Sequence, residues 1–441
     1  MSRQIPILFK NALDIAVDKA KGLGNALGDE IVLVRDLHGR MRVLLPGVRT
    51  NYTADQNGIL DKFTGELSEA LGVYGFPTDR AVLFAGDLVQ GDEILASIDR
   101  RQVAEQGDLK IYLLDRQIIG QDWTRSPIAR KTTNPRVTFF GIKGGVGRST
   151  ALIIWAWQLA KQGKHVLVFD LDLESPGVSS TLLPQENLPD YGIVDWFVED
   201  GIGQAEVVEK VMVASSPIAK DLSGEIRVVS AFGRETGDYL PKLARCYSEF
   251  SGNVMMSWGE RLQRMIERIE QHEKPDLVIL DSRAGLHDIA AVLVTRMDAD
   301  AFIFAVDSAQ TWTAYSFLFR HWKQHPQVTE FRQRLQMVAG MVPETGRDEY
   351  LKKFREHSWD LFREHLYDEV ESDNPDAFSF DLASEDAPHY PLPVFWNRAL
   401  QEFDPAASET GLDEKTAQEA LGGFRSEADK LVFSVGEGAI L

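Results

Sequence analysis

The chain has 441 residues, 44% of them hydrophobic and 26% charged, a composition that suits a folded protein of more than one domain and excludes disorder and fibres. Its 47 Lys and Arg against 67 Asp and Glu give a formal charge of -20, so no chain-wide pull towards nucleic acid or anionic lipid is expected. One cysteine, Cys246, excludes an internal disulfide and the thiolate set of a structural zinc or an iron–sulfur cluster, which fits a reducing, cytoplasmic setting.

At the start, Lys10, Asp14 and Asp18 interrupt the apolar residues before a signal-peptide core could form, so no export signal is expected. A helix is predicted from about Pro6 to near Gly22, then a hairpin over Ile31 to Leu45 that turns at His38-Gly39. A second helix is read from Ile59, Leu60, Phe63, Leu67 and Leu71, followed by short strands at Val82 to Phe84 and Ile111 to Leu114. Residues 1–120 therefore read as a small α+β domain with no catalytic spacing. The two prolines, basic character and missing periodicity of residues 121–136 are those of a linker.

From Val137 the rhythm becomes strand, glycine loop, helix, strand, which predicts an α/β domain over 137–441 with a mostly parallel sheet and helices on both faces. Strands are expected at Val137 to Ile142, His165 to Asp170, Ile226 to Ser230, Leu277 to Asp281, Ala301 to Val306 and Gln336 to Val342. The most apolar run, Ala151 to Ala160, is about half the roughly 20 residues of a membrane-spanning helix and reads as a buried one. Ser257 and Glu260 form a capping box before a helix whose apolar face is Leu262, Met265, Ile266 and Ile269. A charged amphipathic helix is expected as an insertion near 347–370, followed by an acidic loop to about Asp386.

The chemistry concentrates in the run from Gly141 to Thr150, GIKGGVGRST, between an apolar strand and a helix. Glycines let the backbone turn its amides inwards, and the new helix adds its positive end, so a polyphosphate can be cradled there. The common phosphate-loop formula G-x-x-x-x-G-K-[ST] is met imperfectly, because its first glycine falls on Ile142 and its lysine on Arg148. Ser149 is placed to offer a hydroxyl to Mg²⁺, and Asp281, ending an apolar strand, to hold that metal directly or through water. Asp170 and Asp172 close another strand, with Glu174 a rival base. Arg283 reads as a phosphate or switch residue or a surface ion-pair partner. His321 and His325 stand four apart without an acidic partner or third ligand, so a solvated helix face is expected there rather than a metal site.

KGGVGRST resembles the deviant Walker A motif of the ParA/MinD family of P-loop ATPases, KGG-x-GK-[ST], in which Lys143 matches an extra early lysine. It is more similar still to the bacterial KGGVGR-variant ATPases, where arginine replaces the second lysine. The resemblance runs on through Asp170-Leu-Asp-Leu-Glu-Ser-Pro-Gly177, the Gly237-Asp-Tyr-Leu240 region and Asp281-Ser-Arg-Ala-Gly285, and covers most of residues 137 to about 343.

That resemblance implies a P-loop NTPase fold that binds ATP with Mg²⁺ through Gly144, Gly145, Val146, Gly147, Arg148, Ser149 and Thr150. Ser149 and Asp281 would hold the metal with Asp170 supporting its shell, Asp172 would orient the attacking water, and Pro343 would approach the adenine. Lys143 would reach across an ATP-dependent homodimer to the nucleotide of the other subunit. The implied output is a dimerisation switch that controls an unknown protein partner through residues 1–120. The KGGVGR likeness suggests, by association, a bacterial signalling or antiphage defence system. A non-hydrolysing nucleotide-binding scaffold and a partition or positioning ATPase are the alternatives. The carboxyl end lacks the basic-faced amphipathic helix of a MinD-type anchor, so no membrane contact is expected, and neither is strong non-specific nucleic-acid binding.

Overall fold

Two hydrophobic patterns, alternating strands early and wholly apolar strands later, sort the computed structural model into two units, Met1–Ser126 and Pro127–Leu441. The structure describes residues 7–97, 99–117, 121–123, 125, 134–252, 254–325, 327–369, 377–401, 405 and 412–433.

The first unit runs α1 (Phe9–Lys21), β1 (Glu30–Arg35), β2 (Met41–Leu45), α2 (Ala54–Leu71), β3 (Val82–Phe84), α3 (Gly91–Leu95), β4 (Arg100–Gln106) and β5 (Leu109–Asp115). Its sheet has the order β3-β2-β1-β5-β4, with β1 and β5 parallel at the centre and a hairpin on each side. Alternation puts Ile31, Leu33, Met41, Val43, Ile111 and Leu113 against Ala12, Ala16, Leu60, Phe63 and Leu67 of the two long helices. The intervening Val32, Val34, Leu44 and Leu114 pack on Ala85, Leu88 and Ile94. Strand β4 went unread because its sequence, RRQVAEQ, is mostly charged or amide. Arg125 is buried and bonds Asp99 (Nε to Oδ1, 2.7 Å) and Asp122 (Nη1 to Oδ1, 3.1 Å). Asp122 and Arg125 thus pack with this unit, whereas positions 124 and 126–133 of the expected linker lie outside the described residues.

In the second unit β6 (Arg136–Gly141) leads through the glycine loop into α4 (Arg148–Lys161) and β7 (His165–Asp170). Then come α5 (Val178–Leu182), α6 (Ile193–Gly201), α7 (Glu206–Glu209), β8 (Val213–Ser215), β9 (Glu225–Val229) and α8 (Tyr239–Cys246). A small hairpin, β10 (Phe250–Ser251) with β11 (Val254–Met255), precedes α9 (Trp258–Glu273), β12 (Leu277–Asp281), α10 (Asp288–Thr295) and β13 (Asp300–Ala305). The chain continues through α11 (Ala309–Lys323), α12 (Val328–Phe331), β14 (Leu335–Val342), α13 (Arg347–His365), β15 (Leu392–Phe395) and α14 (Glu414–Phe433).

Eight strands form one sheet in the order β15-β14-β13-β6-β12-β7-β9-β8, every pair parallel except β8 with β9. Helices on both faces explain why β6, β7 and β12 are almost continuously apolar. Residues 151–160 of α4 are all buried, and no described helix is long and apolar enough to cross a membrane. Ser257 and Glu260 close the expected capping box, Glu260 Oε2 accepting from the Ser257 amide at 2.9 Å and Ser257 Oγ from the Glu260 amide at 3.3 Å. Arg136, assigned from sequence to the linker, already begins β6: its guanidinium is buried and forks onto both carboxylate oxygens of Glu270 at 2.9 and 2.6 Å.

Candidate functional site

Parallel register fixes the site. Asp281 of β12 is the paired neighbour of Phe139 in β6 and of Asp170 in β7, so the carboxyl ends of these three strands emerge side by side. The connection from β6 to β7 passes over β12, and such crossings open a crevice at strand ends where ligands bind.

The loop 142–147 fills that crevice. Gly145 and Gly147 have φ of +72° and +82°, values that L side chains rarely adopt and that allow a loop to turn its amides to one side. A β-carbon at Gly144 or Gly145 would meet no protein atom within 4 Å, so these residues border open space. Gly147 caps α4 without a side-chain bond, which leaves the positive end of a 14-residue helix facing the loop. Ser149 and Thr150 sit half-buried in its first turn, and Val146 is buried beneath.

Residues far away in sequence hold the loop. Tyr315 of α11 accepts from the Ile142 amide at 3.2 Å and donates to the Phe304 carbonyl at 2.6 Å. The Gly285 amide donates to the Gly141 carbonyl at 3.1 Å. Gly340 of β14 approaches the Val146 carbonyl, and the next residue, Met341, has φ +54° and puts its sulfur beside Gly147. Pro343 follows at the end of β14. Lys143 donates to Gln310 Oε1 at 2.6 Å on the exposed side. Tyr315 and Gln310 carry no sequence signal, whereas a glycine inside the strand run MVAGMV is a mark of close backbone approach that could have pointed to Gly340.

Four charged residues converge. Arg148 donates through Nε to Asp281 Oδ1 at 3.1 Å, and its Nη2 lies 3.7 Å from Asp172 Oδ2. Burial raises the Asp281 carboxyl to about 7 against the opposing pull of Arg148, with Asp170 and Asp172 adding to the rise. Burial likewise raises Asp170 to about 6, offset in part by bonds from Ser179 and the Asp172 amide, and it raises Asp172 in spite of Arg148. Asp170 is wholly buried, and its two oxygens accept the amides of Ser179 (2.7 Å) and Asp172 (3.3 Å). It therefore shapes the loop that presents Asp172.

Glu174 is engaged: its Oε1 accepts from Tyr247 at 2.6 Å and pairs with Arg283 at 2.9 Å. Tyr239, in the Gly237–Leu240 region, donates to the Leu173 carbonyl at 2.5 Å, so α8 also braces the loop after β7. His325 is buried, not solvated, with Nδ1 accepting the Gln327 amide at 3.1 Å and its ring edge-on to Phe331. Among the described residues no group of three or more His, Cys, Asp or Glu is arranged for a metal. The oxygens of Asp281 and Ser149 are hard donors of the kind that suits Mg²⁺, which needs only one or two carboxylates when phosphates and water complete its shell, while both oxygens of Asp170 accept backbone amides.

Residues 137–310 match the CbiA family, described as the CobQ/CobB/MinD/ParA nucleotide binding domain. No curated protein matches the chain. Solved structures similar to it include pNOB8 ParA bound to nonspecific DNA, 16% identical over 69% of this chain and 99% of that one, with a TM-score of 0.44. The cell division ATPase MinD of Pyrococcus furiosus is 16% identical over 68% and 100%, with a TM-score of 0.40. Cobyrinic acid a,c-diamide synthase of Mycobacterium smegmatis, with bound ATP analog and magnesium, is 14% identical over 69% and 97%, with a TM-score of 0.38. Residues 137–310 are thus similar to the CobQ/CobB/MinD/ParA nucleotide binding domain, and the unit that holds them has a P-loop NTPase fold with a mostly parallel sheet, preceded by a separate α/β unit.

Proposed function

We propose that the protein binds Mg·ATP, hydrolyses it, and uses the nucleotide state to dimerise and thereby control a partner protein. The observation that carries this reading is the convergence of Arg148, Asp281 and Asp172 beside a glycine loop that borders open space at the start of α4. The loop amides and Arg148 hold phosphate oxygens, and Ser149 and Asp281 hold the metal with Asp170 behind them. Bound magnesium would neutralise charge on the terminal phosphates. Asp172, beyond the end of β7, orients the attacking water. Pro343, after the strand that touches Gly147, borders the base. Lys143 lies on the exposed rim, where it can act on the nucleotide of a second copy.

The capture of Arg148 by two carboxylates favours one alternative, a scaffold that binds nucleotide without hydrolysing it. Molar mass by light scattering with ATP, ADP and no nucleotide, together with phosphate release, separates the readings. An ATP-dependent dimer with turnover supports the switch, and a dimer without turnover supports the scaffold. A chain that stays monomeric in ATP, or a Lys143→Ala protein that dimerises unchanged, overturns the role in trans.

Residues 1–120 are the natural site for the partner, in a cytoplasmic setting. The KGGVGR likeness is what supports a bacterial signalling or antiphage role. Non-specific DNA binding of the kind named for pNOB8 ParA is opposed here by the net charge of -20, which disfavours the phosphate-dominated part of such binding.

A further inference from the structure

Arg148 occupies a position between two acids and is itself close to fully covered: 10% of its side chain is exposed, against 1% for Asp281 and 14% for Asp172. A lysine ends in a single point charge, whereas the forked guanidinium reaches both carboxylates at once. Two other cations of the site are engaged elsewhere, Arg283 with Glu174 and Lys143 with Gln310. Arg148 is therefore the main counter-charge of the Asp281–Asp172 pair, with Arg283 a smaller one at Asp172.

We propose that Arg148 and a divalent cation exchange places at Asp281, beside Asp172, so that metal and nucleotide enter the site together and each enters poorly alone. This rests on the reading of the site as one for Mg·ATP. A phosphate that draws Arg148 away leaves two covered carboxylates facing further negative charge, which is costly unless a cation replaces the guanidinium. A cation arriving alone meets Arg148 already bonded to Asp281, and like charges oppose its entry. The two ligands are thus linked through one side chain, and the linkage is reciprocal, with couplings of roughly 5- to 150-fold typical of such cases.

The test uses Mn²⁺ alone, without nucleotide, titrated into the full chain and followed by electron paramagnetic resonance. Arg148→Ala should bind Mn²⁺ at least about tenfold more tightly than the wild type, and adding Asp281→Asn should abolish the gain. Arg148→Met keeps the side-chain length and gives the same comparison if the alanine protein does not fold. Equal Mn²⁺ affinities in wild type and variant, or a gain that survives Asp281→Asn, overturn the exchange. Calorimetry with Mg·ATP on the wild type separates the two levels: no binding there removes the nucleotide reading itself, whereas intact binding with equal Mn²⁺ affinities removes only the exchange.

Discussion

Gly340 runs so close beneath Val146 that a β-carbon on it would lie 2.1 Å from the Val146 carbonyl oxygen. Strand β14 therefore sets the height of the glycine loop from a position 194 residues later, 340 less 146. Gly340→Ala is expected to lift the loop, weakening ATP binding about tenfold or more at a stability cost of about 1–3 kcal/mol. Titration with a fluorescent ATP analogue, beside thermal unfolding, checks it. Undiminished affinity would mean that the loop is set by other contacts.

Asp172→Ala is expected to keep ATP binding and lose about 100-fold or more in turnover. Glu174→Gln is the control, because Glu174 is committed to Tyr247 and Arg283 and its loss should leave the single-turnover rate within a few-fold. If Glu174→Gln stops phosphate release while Asp172→Ala does not, the two assignments exchange.

The nucleotide-free protein should lose stability as the pH rises through neutrality. Asp281 and Asp170 titrate near 7 and 6 when folded, against 3.8 ordinarily, so the folded chain holds more protons than the unfolded one across that interval. Their contribution is complete below the ordinary value and disappears as the pH passes the raised ones. The melting temperature is expected to fall by about 5 °C or more between about pH 5 and about pH 8. Asp281→Asn should flatten most of that slope, and a parallel slope in the variant would refute the assignment.

Separating the chain between Ser126 and Pro127 should leave two folded pieces, since each unit has its own apolar clusters. The larger piece is expected to bind Mg·ATP within about threefold of the intact protein, a difference under about 1 kcal/mol. Circular dichroism and calorimetry on the two fragments decide it, and an unfolded large fragment would show that the first unit is part of its stability.

Much of this was legible because the strands leading to the site are short apolar runs ending in aspartate. Strands β7 and β12 fall on the expected residues, and the glycine loop identified itself by composition. Strand β15 did not, because Pro393 interrupts a four-residue edge strand. Helix α14 was hidden by Gly422 and Gly423 in its interior, yet Gly423 answers to packing: a β-carbon there would lie 2.9 Å from Pro393 Cγ. The loop's supports, Tyr315 and Gln310, lie 173 and 167 residues from Ile142 and Lys143, a separation over which no local periodicity carries information. Asp170 stands out in the sequence as a strand-ending acid, but the backbone amides that donate to its oxygens depend on a loop path that composition does not encode.

Phe424 of α14 packs against Phe139 of β6, Trp155 of α4 and Phe302 of β13, and Trp155 donates to Asp429, 274 residues away. The helix that opens at the glycine loop is thus sealed by a segment synthesised long after it. On the ribosome the first unit can close before the second, which must wait with an aromatic face uncovered until α14 emerges. Nascent chains of this protein therefore carry an uncovered aromatic face, an aggregation hazard, from the synthesis of α4 to that of α14, and the second unit closes only once that helix has emerged.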